Sequence, residues 1–324
     1  MTDRLDDSLM RRAAAARRVQ EIFSSTAAAW SARPADPNDV FLAQLISTRD
    51  APAKIGLFGI PFDGAVLGRP GAREGPDAIR AQMAKLKPWI LSKGAATIDA
   101  RDWGNVRVPL DVAGAHQATE SAALAVLGAG QIPLALGGDH SLTFPLVKAH
   151  EGRRQKIGII NLDAHLDVRD FTGIPNSGTS FGRLLDLGLV PGQNLVEVGI
   201  RDFANAEAYV KNVHKAGGTI LGANEWAREG LSVIDHAIDV ASEGVDGVYL
   251  SLDIDVLDQA HAPGASAPTP GGVDTRTLYA AIDRICERTK LIGCDIMETA
   301  PPLDRDHMTA RAAAFAAAHL LARV

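Results

Sequence analysis

The sequence predicts an α/β fold in which helices pack on a mainly parallel sheet. From Ala53 onward, short apolar runs alternate with longer helical stretches, and this repeated alternation is typical of a parallel sheet. No sequence repeat, low-complexity tract or linker divides the chain after residue 50, so residues 51–324 are predicted to form a single domain. With 324 residues, 46% of them hydrophobic, the chain can bury a substantial core.

The alternation can be assigned element by element. Each predicted strand is a short apolar run, and each predicted helix is a longer stretch that separates two runs or follows the last one. The predicted strands are Lys54–Ile60, Ile132–Leu136, Lys156–Leu162, Leu195–Gly199, Gly218–Leu221, Gly247–Leu252 and Lys290–Met297. The predicted helices are Pro76–Lys87, Ala115–Leu127, Ser141–Ala149, Asn205–Ala216, Leu231–Ser242, Asp274–Thr289 and His307–Ala322.

Residues 1–50 are predicted to form an N-terminal helical arm that leads into a polar loop. Alanine and arginine dominate Met10 to Val19, and both residue types favour helices. The loop covers residues 31–39, where prolines and polar residues prevail. We expect the arm to pack on the surface of the domain or on a neighbouring subunit.

Composition argues against several classes of function. The formal net charge of −6 and the pI near 5.8 give no reason to expect nucleic-acid binding. No apolar run approaches the roughly 18 residues of a membrane span, and residues 1–18 contain no hydrophobic signal core. Cys286 and Cys294 are too few for a disulfide framework. The expected protein is soluble and cytoplasmic, with neither a nucleic-acid nor a membrane partner.

The strongest functional signal lies directly after the predicted strand Lys156–Leu162. Asp163, His165 and Asp167 occupy positions i, i+2 and i+4, and alternate side chains of a strand point to the same face. If the strand continues through this stretch, three metal ligands converge on one side of it. An acid-rich strand end of this kind is costly to bury without a cation.

Two further groups of ligands follow other predicted strands. Asp253 and Asp255 come after the run Gly247–Leu252, and His140 follows a Gly-Gly turn after Ile132–Leu136. Taken singly, an aspartate or histidine at such a place often caps a helix or orders a turn. Because ligands of an α/β sheet bind outside the carboxyl ends of its strands, the three groups together predict a metal site.

The chemical nature of these six residues indicates which metal they bind. Four carboxylates and two imidazoles, with no thiolate, form an oxygen-rich set that suits manganese better than zinc or copper. Four aspartates would offset the charge of two divalent ions. A two-metal site lowers the pKa of a water molecule and makes it a nucleophile. The sequence therefore predicts metal-assisted hydrolysis with two Mn²⁺ ions.

These residues stand in motifs that resemble those of the ureohydrolase superfamily, which comprises arginases, agmatinases and formimidoylglutamases. The metal motifs are Gly137–Ser141, Asp163–Asp167 and Ser251–Asp255, with supporting matches at Arg69–Pro76, Ala262–Pro268 and Asp295–Glu298. The resemblance runs from about Asp36 to the C-terminus. It implies a three-layer α/β/α fold, two Mn²⁺ ions per subunit, attack on an amidine-like carbon, and a homo-oligomer that is a trimer or a hexamer.

The resemblance also implies a role for each matching residue. The implied ligands are His140 and Asp167 for one ion, His165 and Asp255 for the other, and Asp163 and Asp253 as bridges. Glu298 would pair with the cationic amidinium or guanidinium of a substrate and hold its carbon over the metal centre. Asp139 would act either as a proton relay or as a support for the neighbouring ligand.

Departures from the arginase pattern point to the substrate. Arginases and agmatinases place a histidine, proposed as a proton shuttle, in the loop where this chain has Ser177. Arg169 stands near the start of the loop that recognises an α-amino acid in arginases, and a guanidinium there would bind an extra carboxylate in a bidentate manner. Arg169 together with Ser177, Gly178 and Thr179 resembles the pattern of formimidoylglutamases, and Arg201 would be a second anion anchor.

The expected reaction is hydrolysis of N-formimidoyl-L-glutamate to formamide and L-glutamate, but alternatives stay open. Arg169 alternatively pairs with Asp170 on the surface, and Arg201 alternatively orders a loop or joins a buried ion pair. The stretch Gly59–Gly64 looks more like that of agmatinases. An agmatinase or a guanidino-acid amidinohydrolase that releases urea is therefore an alternative. Because the shuttle histidine is absent, a metal-binding homologue without catalytic activity also stays open as an alternative.

Overall fold

A sheet of ten strands forms the centre of the described part of the protein. The computed structural model describes residues 21–26, 30, 36, 38–151, 155–170 and 173–324. The sheet strands are β1 (Phe23–Ser24), β2 (Ile46–Ser47), β3 (Ile55–Gly59), β6 (Ala100–Val106), β7 (Ile132–Leu136), β8 (Ile157–Leu162), β9 (Leu195–Ile200), β10 (Thr219–Gly222), β11 (Gly247–Asp253) and β12 (Leu291–Met297), while β4 (Trp89–Ile90) and β5 (Gly94–Ala95) form a separate hairpin. In space the order is β1-β6-β3-β7-β12-β11-β8-β9-β10, with β2 also on β6. All pairs in this sheet are parallel except β1 with β6.

Helices connect most of these strands. The described α-helices are α1 (Gly75–Met83), α2 (Val112–Gly128), α3 (Thr143–Lys148), α4 (Ser180–Asp186), α5 (Glu207–Ala216), α6 (Ala223–Glu229), α7 (Leu231–Ser242), α8 (Thr275–Arg288) and α9 (Met308–Arg323). Two of the longest begin at an aspartate cap, because the Asp111 and Asp274 side chains accept hydrogen bonds from backbone amides in the first turns of α2 and α8. Among the described residues, no helix is long and apolar enough to cross a membrane.

The helices cover both faces of the sheet and enclose two hydrophobic cores. Successive strand residues alternate between the cores, as Leu57 and Phe58 of β3 do. Helices α1, α6, α7, α8 and α9 pack in the first core, and α2, α3, α4 and α5 pack in the second. Because the central strands are buried on both faces, their sequences are continuous apolar runs. The α/β class and the three-layer α/β/α arrangement are confirmed.

The predicted elements are found, and the missed ones are short or have polar sequences. All seven predicted strands occur with ends within one residue of the prediction, but the strands β1, β2, β4, β5 and β6 and the helices α4 and α6 are absent from it. The sequence of β6 looks like a loop because Arg101, Asp102 and Asn105 interrupt it, yet all three side chains are buried. Arg80 of α1 donates two hydrogen bonds of 2.9 Å to Asp102, and such pairing permits a charge inside a sheet.

The structure describes only part of the predicted N-terminal arm. The predicted helix over Met10–Val19 lies outside the described residues. Within the rest of residues 1–50, Phe23–Ser24 and Ile46–Ser47 both pair with β6. The Trp30 indole also donates to Asp102 of β6 at 2.6 Å. This part of the segment therefore joins one edge of the sheet.

The carboxyl ends of four neighbouring strands bring the predicted site together. Strands β7, β12, β11 and β8 lie side by side in the middle of the sheet. His140 follows β7, Glu298 follows β12, Asp253 ends β11 and Asp163 follows β8. Because parallel strands end at the same edge, these residues meet although up to 158 positions separate hydrogen-bonded partners among them.

Candidate metal centre and substrate cleft

His140 lies at the centre of the first group of ligands. Its Nδ1 atom is 3.0 Å from an oxygen of Asp167, 3.2 Å from one of Asp163 and 3.3 Å from one of Asp253. Although three carboxylate oxygens lie so close, this buried nitrogen makes no hydrogen bond among the described residues. A ring of oxygens around one unsatisfied nitrogen is the arrangement expected of ligands that converge on a cation.

Ser251 fixes the orientation of the His140 ring. The other ring nitrogen, Nε2, is 2.9 Å from Ser251 Oγ, and this hydroxyl donates to the buried carboxylate of Asp295 at 2.8 Å. Because the Ser251 hydroxyl donates its only hydrogen to Asp295, it accepts the hydrogen bond from His140. The Nε2 atom of His140 therefore carries a hydrogen. Asp295 is held in turn by the hydroxyls of Thr143 and Tyr249. Nδ1 is therefore the atom left to bind a metal.

His165 lies at the centre of the second group. Its Nδ1 atom is 3.1 Å from Asp255 Oδ2 and 3.6 Å from Asp163 Oδ1. The first group, His140, Asp163 and Asp167, and the second, Asp163, His165 and Asp255, thus share one residue. Asp163 directs its Oδ2 oxygen to His140 and its Oδ1 oxygen to His165. Asp163 is therefore the residue that would be shared if each group held an ion.

The charges of the centre are unbalanced without a cation. Burial, together with repulsion from the neighbouring Asp163 carboxylate, raises the pKa of Asp167, Asp253 and Asp255. Although burial opposes it, the Asp255 and Asp163 carboxylates raise the pKa of His165 to about 12. A proton held in this way occupies the place of a metal, and metal binding releases it. The four carboxylates and two imidazoles therefore fit two divalent ions.

The loop that carries three of the ligands is not a continuation of the strand. Strand β8 ends at Leu162, as predicted, so Asp163, His165 and Asp167 converge from a loop and not from a continued strand. Asp167 has a φ of 46°, a left-handed conformation that strands do not adopt. Asn205 holds the bend, because its side chain accepts from the Leu166 amide and donates to the Ala164 carbonyl, both at 3.0 Å.

Glu298 lies beside the metal ligands in a strained backbone conformation. Its φ is 65°, and its Oε1 atom accepts a 2.8 Å hydrogen bond from the His140 amide. The Ser266 hydroxyl lies near this carboxylate, but the buried Oε2 atom makes no hydrogen bond among the described residues. Burial, with repulsion from Asp139, raises the pKa of Glu298 to about 8. Oε2 is thus an acceptor without a donor on the wall of a cleft.

Asp139 holds the loop rather than facing the cleft. Its two oxygens accept hydrogen bonds from the amides of Ala65 at 2.9 Å and Ser141 at 3.0 Å. The residue is fully buried and is not among the described residues that line the cleft. Burial raises the pKa of its carboxyl to about 6. This placement favours support of His140 over the alternative prediction of a proton relay.

The cleft above the metal centre brings only some of the predicted substrate residues together. Arg169, Ser177 and Gly178 line it together with Glu298, whereas Thr179, the last residue of the short helix Ser177–Thr179, is buried and does not line it. The Ser177 hydroxyl accepts from the Leu67 amide at 3.1 Å. The other described lining residues are Leu67, Gly68, His165, Asp167, Ala204, Asn205, Tyr209, Asp253, Asp255, Ser266 and Ala267.

Arg201 is directed away from this cleft, which corrects its predicted role. Its buried guanidinium donates to the backbone carbonyls of Gly199, Asp255 and Leu257, with distances of 2.9 Å to Asp255 and 3.2 Å to Leu257. These bonds tie β9 to the loop that follows β11. The arginine therefore orders a loop, the alternative role, and is not an anion anchor.

Several residues of the site carry no signal that sequence reasoning could use. Asn161 donates to Asp163 at 3.2 Å and to the buried Glu197 at 2.7 Å, but both lie inside apolar strands without a motif. Tyr209 of α5 reaches the cleft from a different strand–helix unit. By contrast, Ser251, Ser266, Ala267 and Asp295 lie in the motifs that carried the resemblance.

The comparisons with known proteins agree with this site. A family model described as the arginase family matches residues 53–322. A formimidoylglutamase from Halobacterium salinarum is 39% identical over 305 residues, which are 90% of this chain and 97% of that protein. Relatives named agmatinase and guanidinobutyrase also match, at 34% identity.

Solved structures show the same fold. The formimidoylglutamase of Bacillus subtilis has a TM-score of 0.85 at 32% identity, covering 90% of this chain and 94% of that one. A formiminoglutamase variant from Trypanosoma cruzi, described with two Mn²⁺ ions, has a TM-score of 0.81 at 26% identity and covers 88% of this chain and 97% of its own. The chain therefore belongs to the arginase family, and it is a hydrolase of C–N bonds in linear amidines that uses two Mn²⁺ ions.

Proposed function

We propose that the protein hydrolyses N-formimidoyl-L-glutamate to L-glutamate and formamide. One observation carries the proposal, namely that a single cleft contains the guanidinium of Arg169 and a carboxylate oxygen of Glu298 that has no hydrogen-bond partner in the described part of the chain. A substrate amidinium pairs with the first group, and a substrate carboxylate pairs with the second. Formimidoylglutamate carries both groups, and the relative at 39% identity is named for this substrate.

The six clustered residues are proposed to hold the ions. The assignment is His140 and Asp167 on one ion, His165 and Asp255 on the other, and Asp163 and Asp253 between them. When bound, the ions supply a water molecule of lowered pKa as nucleophile. The protein keeps the His140 lone pair directed at the metal through Ser251, as described above.

Glu298 is proposed to orient the reacting carbon. Its carboxylate would pair with the amidinium nitrogen through Oε2, the oxygen that has no partner among the described residues. The bond from the His140 amide to Oε1 fixes the carboxylate relative to a metal ligand. One residue thereby positions the substrate and pairs with its positive charge. This positioning reduces the entropic part of the activation barrier for hydrolysis.

Arg169 and Ser177 are proposed to recognise the glutamate part of the substrate, with the Gly178 backbone forming the wall between them. Arg169 makes no ion pair with any described residue, and its neighbour Asp170 bonds to Asn212 at 3.4 Å instead. Its guanidinium is therefore available for a carboxylate. The Ser177 hydroxyl accepts from an amide, which leaves its hydrogen free to donate to the substrate.

The proposal is tested by comparing substrates with the Mn²⁺-loaded protein. Release of formamide from N-formimidoyl-L-glutamate is measured beside release of urea from arginine, agmatine and 4-guanidinobutyrate. We expect the formimidoyl substrate to be preferred, and Arg169→Ala to raise its KM about 10- to 150-fold, the range for lost hydrogen bonds between charged groups. Arg169→Lys keeps the positive charge but lacks the two parallel N–H groups of the guanidinium. Its affinity for the substrate should lie between those of the wild type and Arg169→Ala.

Two other results would replace this proposal. Preference for 4-guanidinobutyrate or agmatine would assign the chain to the guanidine-cleaving members, which relatives at 34% identity support. No turnover of any substrate by protein that contains two Mn²⁺ ions would indicate a homologue without catalytic activity.

The quaternary structure and location are further parts of the proposal. We expect a homo-oligomer, either a trimer or a hexamer, in the cytoplasm, with no nucleic-acid or membrane partner. Sedimentation equilibrium of the Mn²⁺-loaded protein at several concentrations measures the number of subunits. A monomer at all concentrations would contradict this expectation.

A further inference from the structure

Arg169 provides the only guanidinium or ammonium group among the described residues that line the cleft. The residue is exposed and makes no ion pair or side-chain hydrogen bond with the described part of the chain. A free arginine side chain loses conformational freedom when a ligand immobilises it. Contacts that hold the guanidinium in place before the ligand arrives therefore affect affinity directly.

Gly178 fixes the course of the Arg169 side chain. The Arg169 amide donates to the Gly178 carbonyl at 2.8 Å, so the two loops run side by side. A Cβ atom on residue 178 would lie 2.6 Å from both Cδ and Nε of Arg169. With a Cβ at this position the Arg169 side chain would have to move from the course that it takes here. The absence of a Cβ thus opens the path that leads the guanidinium into the cleft.

Tyr209 provides a surface for the guanidinium at the end of this path. The Arg169 guanidinium carbon lies over the Tyr209 ring, 5.2 Å from its centroid. An aromatic face attracts a guanidinium at this distance, and stacking leaves the N–H groups at the guanidinium edge free. Tyr209 itself lines the cleft. It comes from the first turn of α5, whereas Arg169 comes from the loop after β8.

We propose that Tyr209 and Gly178 are specificity-determining positions, which together hold the Arg169 guanidinium as a preformed receptor for a substrate carboxylate. Gly178 sets the direction of the side chain, and the Tyr209 ring supports the flat face of the guanidinium. The edge with its parallel N–H groups then faces the cleft, where it forms two hydrogen bonds with one carboxylate. This inference rests on the proposed function in that it requires a substrate with a carboxylate.

The test measures the binding of L-glutamate to Mn²⁺-loaded protein by titration calorimetry, so that it does not depend on turnover. Tyr209→Leu removes the aromatic face, and Tyr209→Phe keeps the face but removes the hydroxyl. We expect Tyr209→Leu to raise the Kd about 5- to 30-fold, the range for a desolvated cation–π contact, and Tyr209→Phe to stay within about 2-fold of the wild type. Gly178→Ala should resemble Tyr209→Leu, because it displaces the same arginine.

Coupling between the residues distinguishes this arrangement from independent contacts. In an Arg169→Ala background, Tyr209→Leu should change the Kd by less than about 2-fold, since the ring then has no guanidinium to support. Tyr279→Leu is the matched control, because Tyr279 stacks on Phe315 and His319 and lines no part of this cleft. This control should leave the Kd unchanged, and the Mn²⁺ content of every variant should equal that of the wild type.

Specific results would overturn the inference. A Tyr209→Phe variant that binds as poorly as Tyr209→Leu would assign the effect to the hydroxyl, and additive losses in the Arg169→Ala background would show that the ring contacts the ligand itself. If L-glutamate binding depends on Tyr209 and Arg169 while the formimidoyl substrate is not cleaved, the proposed reaction fails and the receptor stands. If the formimidoyl substrate is cleaved with a KM that Tyr209→Leu does not change, the reaction stands and the receptor fails.

Discussion

At the scale of single residues, the hydrogen bond between Ser251 and His140 decides which ring nitrogen faces the metal centre. Removing the Ser251 hydroxyl leaves the ring free to rotate and its N–H without a buried acceptor. We expect Ser251→Ala to weaken Mn²⁺ binding about 10- to 100-fold, the usual effect of losing a partner that orients a ligand. Competition with a fluorescent chelator measures the affinity.

Ser180→Ala is the matched control for this prediction. The Ser180 hydroxyl also bonds to His140, but it donates to the backbone carbonyl at 2.7 Å and does not touch the ring. Both serines are buried, so the two variants remove similar volumes. An equal loss of Mn²⁺ affinity in both variants would contradict the argument from the ring orientation.

Glu298 gives a second prediction at this scale. Glu298→Gln keeps the shape of the side chain but removes the charge that pairs with an amidinium. We expect kcat/KM for the formimidoyl substrate to fall about 10- to 150-fold, which corresponds to the 1.5–3 kcal/mol of a hydrogen bond to a charged group. The content of Mn²⁺, measured by atomic emission, should not change.

Glu197→Gln serves as the control for Glu298→Gln. Burial raises the pKa of the Glu197 carboxyl well above its ordinary value, and an amide has nearly the same shape as this carboxyl. Glu197 lines no part of the cleft among the described residues. We expect its kcat/KM to stay within about 3-fold of the wild type. Similar losses in both variants would refute the role of the Glu298 charge.

At the scale of secondary structure, prediction from the sequence succeeded where one local signal was enough. Strand β8 is a continuous apolar run followed by three ligands, and both features are visible without the rest of the chain. Strand β6 was not predicted, because its buried Asp102 is stabilised by Arg80 of α1, which lies 22 positions away in the chain. A pattern of single residues cannot show such pairing. The same limit explains Arg201, whose partners are backbone carbonyls about 55 positions further on.

Helix α2 contributes a buried histidine that makes stability depend on pH. His116 Nε2 is 2.9 Å from Ser141 Oγ, and its Nδ1 is 3.4 Å from the Arg183 guanidinium of α4. Burial, followed by the Arg183 charge, lowers the pKa of His116 to about 4. His116 is therefore neutral in the folded protein.

This histidine yields a third prediction. In the unfolded chain His116 has an ordinary pKa near 6.5. Between pH 6.5 and about 4, the histidine is therefore protonated in the unfolded chain and neutral in the folded protein. The free energy of unfolding falls as the pH decreases through this window. In His116→Gln the amide can still donate to Ser141, but it does not titrate. Urea unfolding measures the free energy of unfolding of both metal-free proteins. Between pH 7 and pH 4, we expect this free energy to fall by up to about 3 kcal/mol more in the wild type than in the variant. A constant difference would show that His116 is not buried as a neutral ring.

At the scale of the whole molecule, the order of strands explains why the centre forms. Strands β7, β12, β11 and β8 are neighbours in space, although they are not consecutive in the chain. The sequence predicted that ligands lie at the carboxyl ends of strands, because that follows from any parallel sheet. It did not predict which strands are neighbours, since this depends on long-range pairing. The assignment of ligands to two groups therefore came from family resemblance and not from the residues alone.

The same convergence leads to a prediction about the whole fold. Four carboxylates from two neighbouring strand ends, those of β8 and β11, converge at one point, so folding without metal must offset their mutual repulsion. A cation that binds the native state and not the unfolded chain stabilises the protein by about 2.7 kcal/mol per site when its concentration is 100 times the Kd. We expect the Tm of metal-free protein to rise on addition of Mn²⁺, and to fall again on addition of excess EDTA.

Asp253→Asn separates metal binding from a general effect of salt on this stability. The variant removes one of the four charges, so it should lose most of the Mn²⁺-dependent rise in Tm. For the same reason, without metal it should be no less stable than the metal-free wild type, because one source of repulsion is gone. Mg²⁺ at the same ionic strength controls for screening, since it keeps its water ligands more firmly. An equal rise in Tm for both proteins with Mn²⁺ would mean that the ions bind elsewhere, and the convergence of the four strand ends would then have a purely structural role.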